Sequence, residues 1–118
     1  MNENEIEEEI QAKNLNAPRL TPDIIDSLIK EKAFHKLTDV LTVCVLTLQN
    51  GFTVTGESAC ASPANYNQQI GEDIAFTNAR DKIWPLAGYA LKQKLHEESL
   101  WYKTEHIMNI YADYQRKK

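Results

Sequence analysis

The sequence lacks the features of a membrane or exported protein. Its 118 residues contain no apolar run near the roughly 18–20 residues that a membrane span requires. The longest apolar stretch, residues 40–48, is shorter, includes two threonines and ends at a turn signal. The chain begins with acidic residues instead of a basic segment followed by an apolar one, so we expect no secretory signal. These absences predict a cytoplasmic protein.

Motifs for metals, phosphates and cofactors are also missing. His35, His96 and His106 are scattered along the chain without an i, i+4 pair, and no C-x-x-C motif occurs. The four glycines form neither a dinucleotide fingerprint nor a P-loop. We therefore expect no metal and no cofactor.

Only two cysteines occur, Cys44 and Cys60, and we expect both to be reduced and packed as small apolar side chains. Cys60 is the one candidate nucleophile, because it precedes a predicted helix start and a helix N-terminus lowers a thiol pKa. A base for it has to come from a distant histidine, so the sequence predicts a protein that is not an enzyme.

The net charge of −4 is unevenly distributed, since five glutamates fall within the first nine residues. The remainder carries 13 basic and 12 acidic residues and has no basic stripe typical of nucleic-acid binding. An alternative remains a nucleic-acid role for Lys92, Lys94 and the basic tail 116–118. We divide the chain into an acidic mobile arm (1–17), a core domain (18–98) and a helical extension (99–118).

Thr21 and Pro22 are typical of a helix start, and apolar residues at helical spacing predict a helix to about residues 32–34. Two β-branched runs, residues 40–48 and 52–56, then flank Asn50 and Gly51. Asn-Gly in this context predicts a β-hairpin with a two-residue type I′ turn.

That turn sets the strand register and the two sheet faces. Thr47 is predicted to pair with Val54, and Val45 with Gly56. One face then holds Val43, Val45, Phe52 and Val54, whereas the other holds Cys44, Leu46 and Leu48 opposite Thr53 and Thr55. Because the first strand is apolar on both faces, each face needs cover, and we expect helices on both sides or dimerisation.

After the hairpin, residues 63–69 are expected to form a short helical turn, and residues 70–84 a helix. Pro85 predicts a kink or a restart. The remainder is either one long helix to about Gln115 or two helices with a break near residues 97–99. The fold class is therefore α+β, with an N-terminal helix, a β-hairpin and long kinked or broken C-terminal helices.

Polar and aromatic residues around the hairpin form the candidate ligand or partner surface, with Arg80 for an anion and Trp84 for stacking. Its members are Glu57, Ser58, Cys60, Asn65, Tyr66, Asn78, Arg80 and Trp84. Apolar side chains in the first strand and the last helix form the candidate oligomer interface. Its members are Leu46, Leu48, Trp101, Ile107 and Tyr111.

Two stretches, LTVCVLTLQNGFTVTGESAC (41–60) and IAFTNARDKIWPLAGY (74–89), resemble a family of small tailed-phage proteins. The family is named for a phage gene 49 product and a phage gene 66 product, and the resemblance covers roughly residues 20–96. It implies phage origin and the host cytoplasm, and it transfers no catalytic residue. We expect a homodimer or higher oligomer that binds a host protein or a small anionic signal molecule, in host takeover or defence antagonism.

Overall fold

A computed structural model describes residues 2–15 and 17–117, leaving aside the side chains of residues 101–103. These described residues form four α-helices, three β-strands and one short 3₁₀ turn, and the α+β class agrees with the sequence prediction. In chain order these are α1 (Glu3–Ala12), α2 (Pro22–Ser27), β1 (Ile29–Lys36), β2 (Leu41–Leu48), β3 (Thr53–Ala59), the 3₁₀ turn (Pro63–Asn65), α3 (Gln68–Asp81) and α4 (Ile83–Arg116).

The sheet is antiparallel in the order β1-β2-β3, so it contains one strand more than the predicted hairpin. The predicted first helix ends early, at Ser27, and the chain enters β1 at Ile29. Thr21 does cap this helix, because its hydroxyl accepts a hydrogen bond from Ile24 N at 3.2 Å. The predicted extension of that helix to residues 32–34 is wrong.

The hairpin register differs by one residue from the predicted one. Thr47 pairs with Thr53, and Leu46 pairs with Val54. Gly51 N donates to Leu48 O at 2.9 Å and Leu48 N donates to Phe52 O at 2.8 Å, so the loop has three residues. Only Gly51 in this loop has a positive φ, +90°, as in a hairpin whose single left-handed position is glycine. The predicted two-residue loop and its face assignment are therefore wrong.

The buried sheet face carries Thr42, Cys44, Leu46 and Leu48 of β2 together with Val54 and Gly56 of β3. Helix α3 packs on this face through small side chains at four-residue spacing, Gly71, Ala75 and Ala79. Ile70 and Ile74 are exposed, because the positions of α3 that meet the sheet are residues 71, 75 and 79.

The opposite sheet face is open. Its side chains are half-buried along β2, as at Val43 and Val45, and exposed along β1 and β3. β2 is therefore apolar on both sides, as its sequence indicates, but α3 covers only one of them.

Helix α3 ends at Asp81 and α4 begins at Ile83, so the restart predicted around Pro85 is confirmed. The break lies at Lys82, and Pro85 falls in the first turn of α4, where its missing N–H removes no hydrogen bond. α4 is then one helix to Arg116, without a break at residues 97–99. The chain divides into two compact units, Met1–Ala87 and Gly88–Lys118.

Candidate functional site

Arg80, in the last turn of α3, joins three segments that are distant in sequence. Its Nη1 and Nη2 each donate to one carboxylate oxygen of Glu3 in α1, both at 2.8 Å. Its Nε donates to Asp26 Oδ1 in α2 at 2.7 Å, and Nη2 also donates to the carbonyl oxygen of Pro22 at 3.3 Å. The guanidinium therefore binds two carboxylates and one carbonyl at once.

The environment of Arg80 favours its charged form. The two hydrogen bonds to Glu3 are the main cause that raises the pKa of Arg80, burial opposes them, and Asp26 adds to the rise. The side chain is only 13% exposed, so few water molecules can replace these partners. A partly buried guanidinium of this kind requires anionic neighbours.

A second arginine pairs with the same helix. Arg19 donates from Nη1 and Nη2 to the two carboxylate oxygens of Glu7, at 2.8 and 2.7 Å. These bonds, with a further one from Gln11, lower the pKa of Glu7 from its ordinary 4.5 to about 2. Helix α1 therefore presents two glutamates, one turn apart, to two arginines.

Between the two ion pairs lies a largely apolar cleft of about 370 Å³. One wall comes from α1, and the other comes from residue 20, the first residue of α2 and the first turn of α4. The lining residues are Glu3, Ile6, Glu7, Ile10, Leu20, Pro22 and Trp84. Of the residues predicted from the sequence to bind an anion and to stack, Trp84 lines the cleft, and Arg80 contacts two of its lining residues, Glu3 and Pro22.

The other predicted ligand residues lie elsewhere. Asn78 donates from Nδ2 to the carbonyl oxygen of Glu57 at 2.8 Å, and this hydrogen bond joins α3 to β3. The side chain of Glu57 lies on the open sheet face. Tyr66 shares a 2.9 Å hydrogen bond with the buried Thr42 hydroxyl. Cys60 donates to Ser62 O at 3.3 Å.

Ser58 lies near the end of β3, half-buried, and Asn65 is exposed at the end of the 3₁₀ turn. The eight predicted residues therefore do not form one surface: Arg80 and Trp84 lie at the cleft, and the others lie on or near β3 and the loop after it.

The predicted oligomer residues divide in the same way. Leu46 and Leu48 lie in the core against α3, which corrects the expectation that they face a second copy. Ile107 and Tyr111 are 66% and 63% exposed on α4. The side chain of Trp101 lies outside the described residues.

One protein-family model matches most of the core domain (18–98). The model of the phage protein (N4 Gp49/phage Sf6 gene 66) family matches residues 20–95. The chain belongs to this phage protein family. No curated protein and no solved structure matches the chain significantly.

The family match divides the cleft into two parts. Leu20, Pro22, Asp26, Arg80 and Trp84 fall within the matched range. Helix α1, with Glu3 and Glu7, precedes it, and Arg19 stands immediately before its first residue. In this phage-family protein a helix outside the matched range therefore lies against a cleft wall whose residues fall within it.

Sequence reasoning found Arg80 and Trp84 but missed Glu3, Glu7, Asp26 and Arg19. The available signal was the i, i+4 spacing of Glu3 with Glu7 and of Ile6 with Ile10, which places two acids and two apolar residues along one side of a helix. Nothing in the sequence indicated which cations those acids meet.

Two further findings concern only the described part of the chain. None of its helices combines the length and the hydropathy needed to cross a membrane. Within residues 2–15 and 17–117, no cluster of three or more His, Cys, Asp or Glu side chains is placed to hold a metal ion.

Proposed function

We propose that this phage protein acts in the host cytoplasm by stoichiometric, non-catalytic binding of a host target, in host takeover or in antagonism of a defence system. The target contributes an anionic group to Arg80 and packs apolar surface against Trp84. The observation that carries this proposal is the Arg80 guanidinium, which binds two carboxylates beside an apolar cleft.

Three features support a binding role over catalysis. The guanidinium is largely removed from water, so it discriminates strongly for anionic partners. Arg80 contacts two residues of the cleft lining, Glu3 and Pro22, and the wall itself is apolar at Leu20, Pro22 and Trp84. A charged group beside an apolar wall is the usual composition of a recognition site. Cys60, the sequence-predicted nucleophile, donates to a backbone carbonyl away from this cleft.

The test uses the full chain, tagged and purified from host cells at low salt. Arg80→Lys keeps the positive charge but loses the bidentate hydrogen bonding of the guanidinium. Lys82→Arg is the matched control, because residue 82 is exposed and lies in the same segment of the chain. We expect a discrete host component, bound at fixed stoichiometry in native mass spectrometry, that is lost from Arg80→Lys and kept by Lys82→Arg.

A second variant, Trp84→Leu, removes the ring while keeping Arg80, so the test does not depend on the folding of one mutant. Circular dichroism and thermal unfolding check both variants. A component that stays bound to folded Arg80→Lys and folded Trp84→Leu contradicts the proposed site. Chemical conversion of many equivalents of the component by the wild-type chain contradicts the non-catalytic role.

The proposal includes a homodimer formed through α4. Leu100, Ile107 and Tyr114 recur at seven-residue spacing and, with Tyr111, are exposed large apolar side chains. A helix gains little stability in water from propensity alone, and heptad spacing of apolar residues suits pairing with a second copy of the same helix.

Ile107→Glu tests this dimer, with Asn109→Glu as the control because residue 109 lies away from the stripe. We expect the native mass of wild type and Asn109→Glu to be that of a dimer, and that of Ile107→Glu to be that of a monomer. A monomeric wild-type chain contradicts the dimer.

A further inference from the structure

Helix α1 occupies the cleft without filling it. None of its residues is buried, and Ile6 remains 46% exposed although it lines the cleft. The remaining space of about 370 Å³ lies between α1 and the wall of Leu20, Pro22 and Trp84. Unfilled apolar space means that dispersion contacts are missing on both sides, so α1 is a poorly packed occupant.

The ion pairs, in contrast, are well formed at both ends of the contact. Glu3 binds Arg80 and Glu7 binds Arg19, each through both carboxylate oxygens. Without α1, Arg80 keeps only Asp26 and the carbonyl of Pro22, and its two terminal nitrogens lose their carboxylate. When α1 is absent, the cleft thus presents an apolar wall with two arginines, Arg19 and Arg80, beside it.

We propose that this cleft receives an acidic amphipathic helix of a host protein, and that α1 is the chain's own competitor for the site. The partner helix has carboxylates at i and i+4, as Glu3 and Glu7 do, and apolar residues at i+3 and i+7, as Ile6 and Ile10 do. Its apolar side chains are larger than isoleucine and fill the space that α1 leaves. This inference rests on the proposed function, because it names the target chemistry at the same cleft.

Release of α1 is energetically accessible. A ten-residue helix is marginal in water, and this one has no buried residue to hold it in place. Residues 13–21 connect α1 to α2, so α1 stays tethered after it leaves and closes again when the partner dissociates. The apparent affinity for the partner is therefore the affinity of the open cleft multiplied by the fraction of time that α1 leaves the cleft open.

A labelled peptide with the sequence of residues 2–15 serves as the probe. It is titrated into the full chain, the double variant E3Q/E7Q, and the control E5Q/E8Q, which removes two charges from α1 side chains that do not contact the arginines. We expect the peptide to bind E3Q/E7Q about tenfold more tightly than wild type, the ratio that follows if α1 occupies the cleft about nine-tenths of the time. The control should bind like wild type.

Two changes to the probe identify the chemistry. A peptide with Gln at both acidic positions should lose binding, because neither arginine then receives a carboxylate. A peptide with Phe in place of both isoleucines should bind more tightly than the native sequence, because it fills the cleft. The indole N–H signal of Trp84 should shift on binding, which places the peptide at this wall.

Equal affinity for all three chains, or tighter binding of the Gln peptide than of the acidic one, overturns the inference. If a host component is nevertheless lost from Arg80→Lys, the proposed function stands and only the helical partner is wrong. If the peptide competes with α1 but no host component depends on Arg80, the proposed function fails. A wild-type dimer that E3Q/E7Q dissociates identifies α1 of a second copy as the occupant and overturns the assignment to a host protein.

Discussion

The backbone of Gly56 in β3 lies directly against the backbone of Ala79 in α3. A methyl group on Gly56 would stand 2.1 Å from Ala79 N and 2.3 Å from Ala75 O, distances at which backbone has to move. This contact sets how closely α3 approaches the sheet, and through α3 it sets the position of Arg80.

Gly56→Ala should therefore destabilise the protein by about 3 kcal/mol, because the added methyl group overpacks a backbone contact. Gly71→Ala is the control: its methyl group meets only side chains, the nearest being Thr42 Oγ1 at 3.3 Å. Since alanine favours a helix by about 1 kcal/mol over glycine, Gly71→Ala should be close to neutral. Urea unfolding measures both, and equal effects would contradict the close approach.

The Thr42–Tyr66 hydrogen bond should be required for stability, because Thr42 is only 2% exposed. Tyr66→Phe leaves that hydroxyl without its partner and should cost about 1–2 kcal/mol. Thr42→Val combined with Tyr66→Phe should cost clearly less than the sum of the single changes. If the changes in the free energy of unfolding, measured with urea, are strictly additive in this double-mutant cycle, the two hydroxyls do not interact.

The docking of α1 should weaken at low pH. The pKa of Glu7 lies at about 2 when Arg19 binds it, against an ordinary 4.5. A carboxyl whose folded pKa is lowered stabilises the folded contact above its ordinary pKa, and this stabilisation disappears as the pH falls from 4.5 towards 2. Glu7→Gln should remove this contribution at every pH, so the difference between it and wild type should shrink across that interval.

The fluorescence of Trp84 reports whether α1 is docked, because Trp84 lines the cleft. The chain has only two tryptophans, so the measurement uses a Trp101→Phe background. Glu8→Gln, which changes a glutamate that lies outside the cleft lining, should behave like wild type. A constant difference between Glu7→Gln and wild type from pH 6 to pH 2 would contradict the low pKa.

The two cysteines should differ in reactivity. Cys44 is fully buried, and burial raises the pKa of its thiol, whereas Cys60 is half-exposed. A thiol reagent should modify Cys60 quickly and Cys44 only at the rate of unfolding. Cys60→Ser should leave a single slow thiol, and two equally fast thiols in wild type would contradict this arrangement.

The sequence predicted those features of the fold that depend only on residues close together in the chain. Thr21 and Pro22 start a helix, Gly51 is at the left-handed position of a hairpin loop, and the helix restarts next to Pro85. The loop length was wrong by one residue, because Asn-Gly suits both a two-residue turn and part of a three-residue loop. That one residue exchanged the strand faces assigned to Val54 and Thr55.

Strand β1 was missed because it reads IKEKAFHK, with four charged residues and little β-branching. Two of its three lysines lie over aromatic rings: Lys32 Nζ is 5.1 Å from the centre of the Phe76 ring, and Lys36 Nζ is 4.3 Å from the centre of the Tyr66 ring. These contacts give two charged residues of the strand aromatic partners, Phe76 in α3 and Tyr66 before it, and the partners lie 44 and 30 positions away in the sequence. Arg80 was identified from its type, but its partners depend on the same long-range packing.

Because the Glu3–Arg80 contact spans 77 positions, its two halves are made at different times. The ribosome adds about 5–20 residues per second, so roughly 4–15 s separate the synthesis of Glu3 from that of Arg80. Helix α1 leaves the ribosome before the wall against which it rests has been made, so Glu3 can bind Arg80 only after α3 has been synthesised. Every newly synthesised chain thus passes through a stage in which α1 exists and its partner arginine in α3 does not.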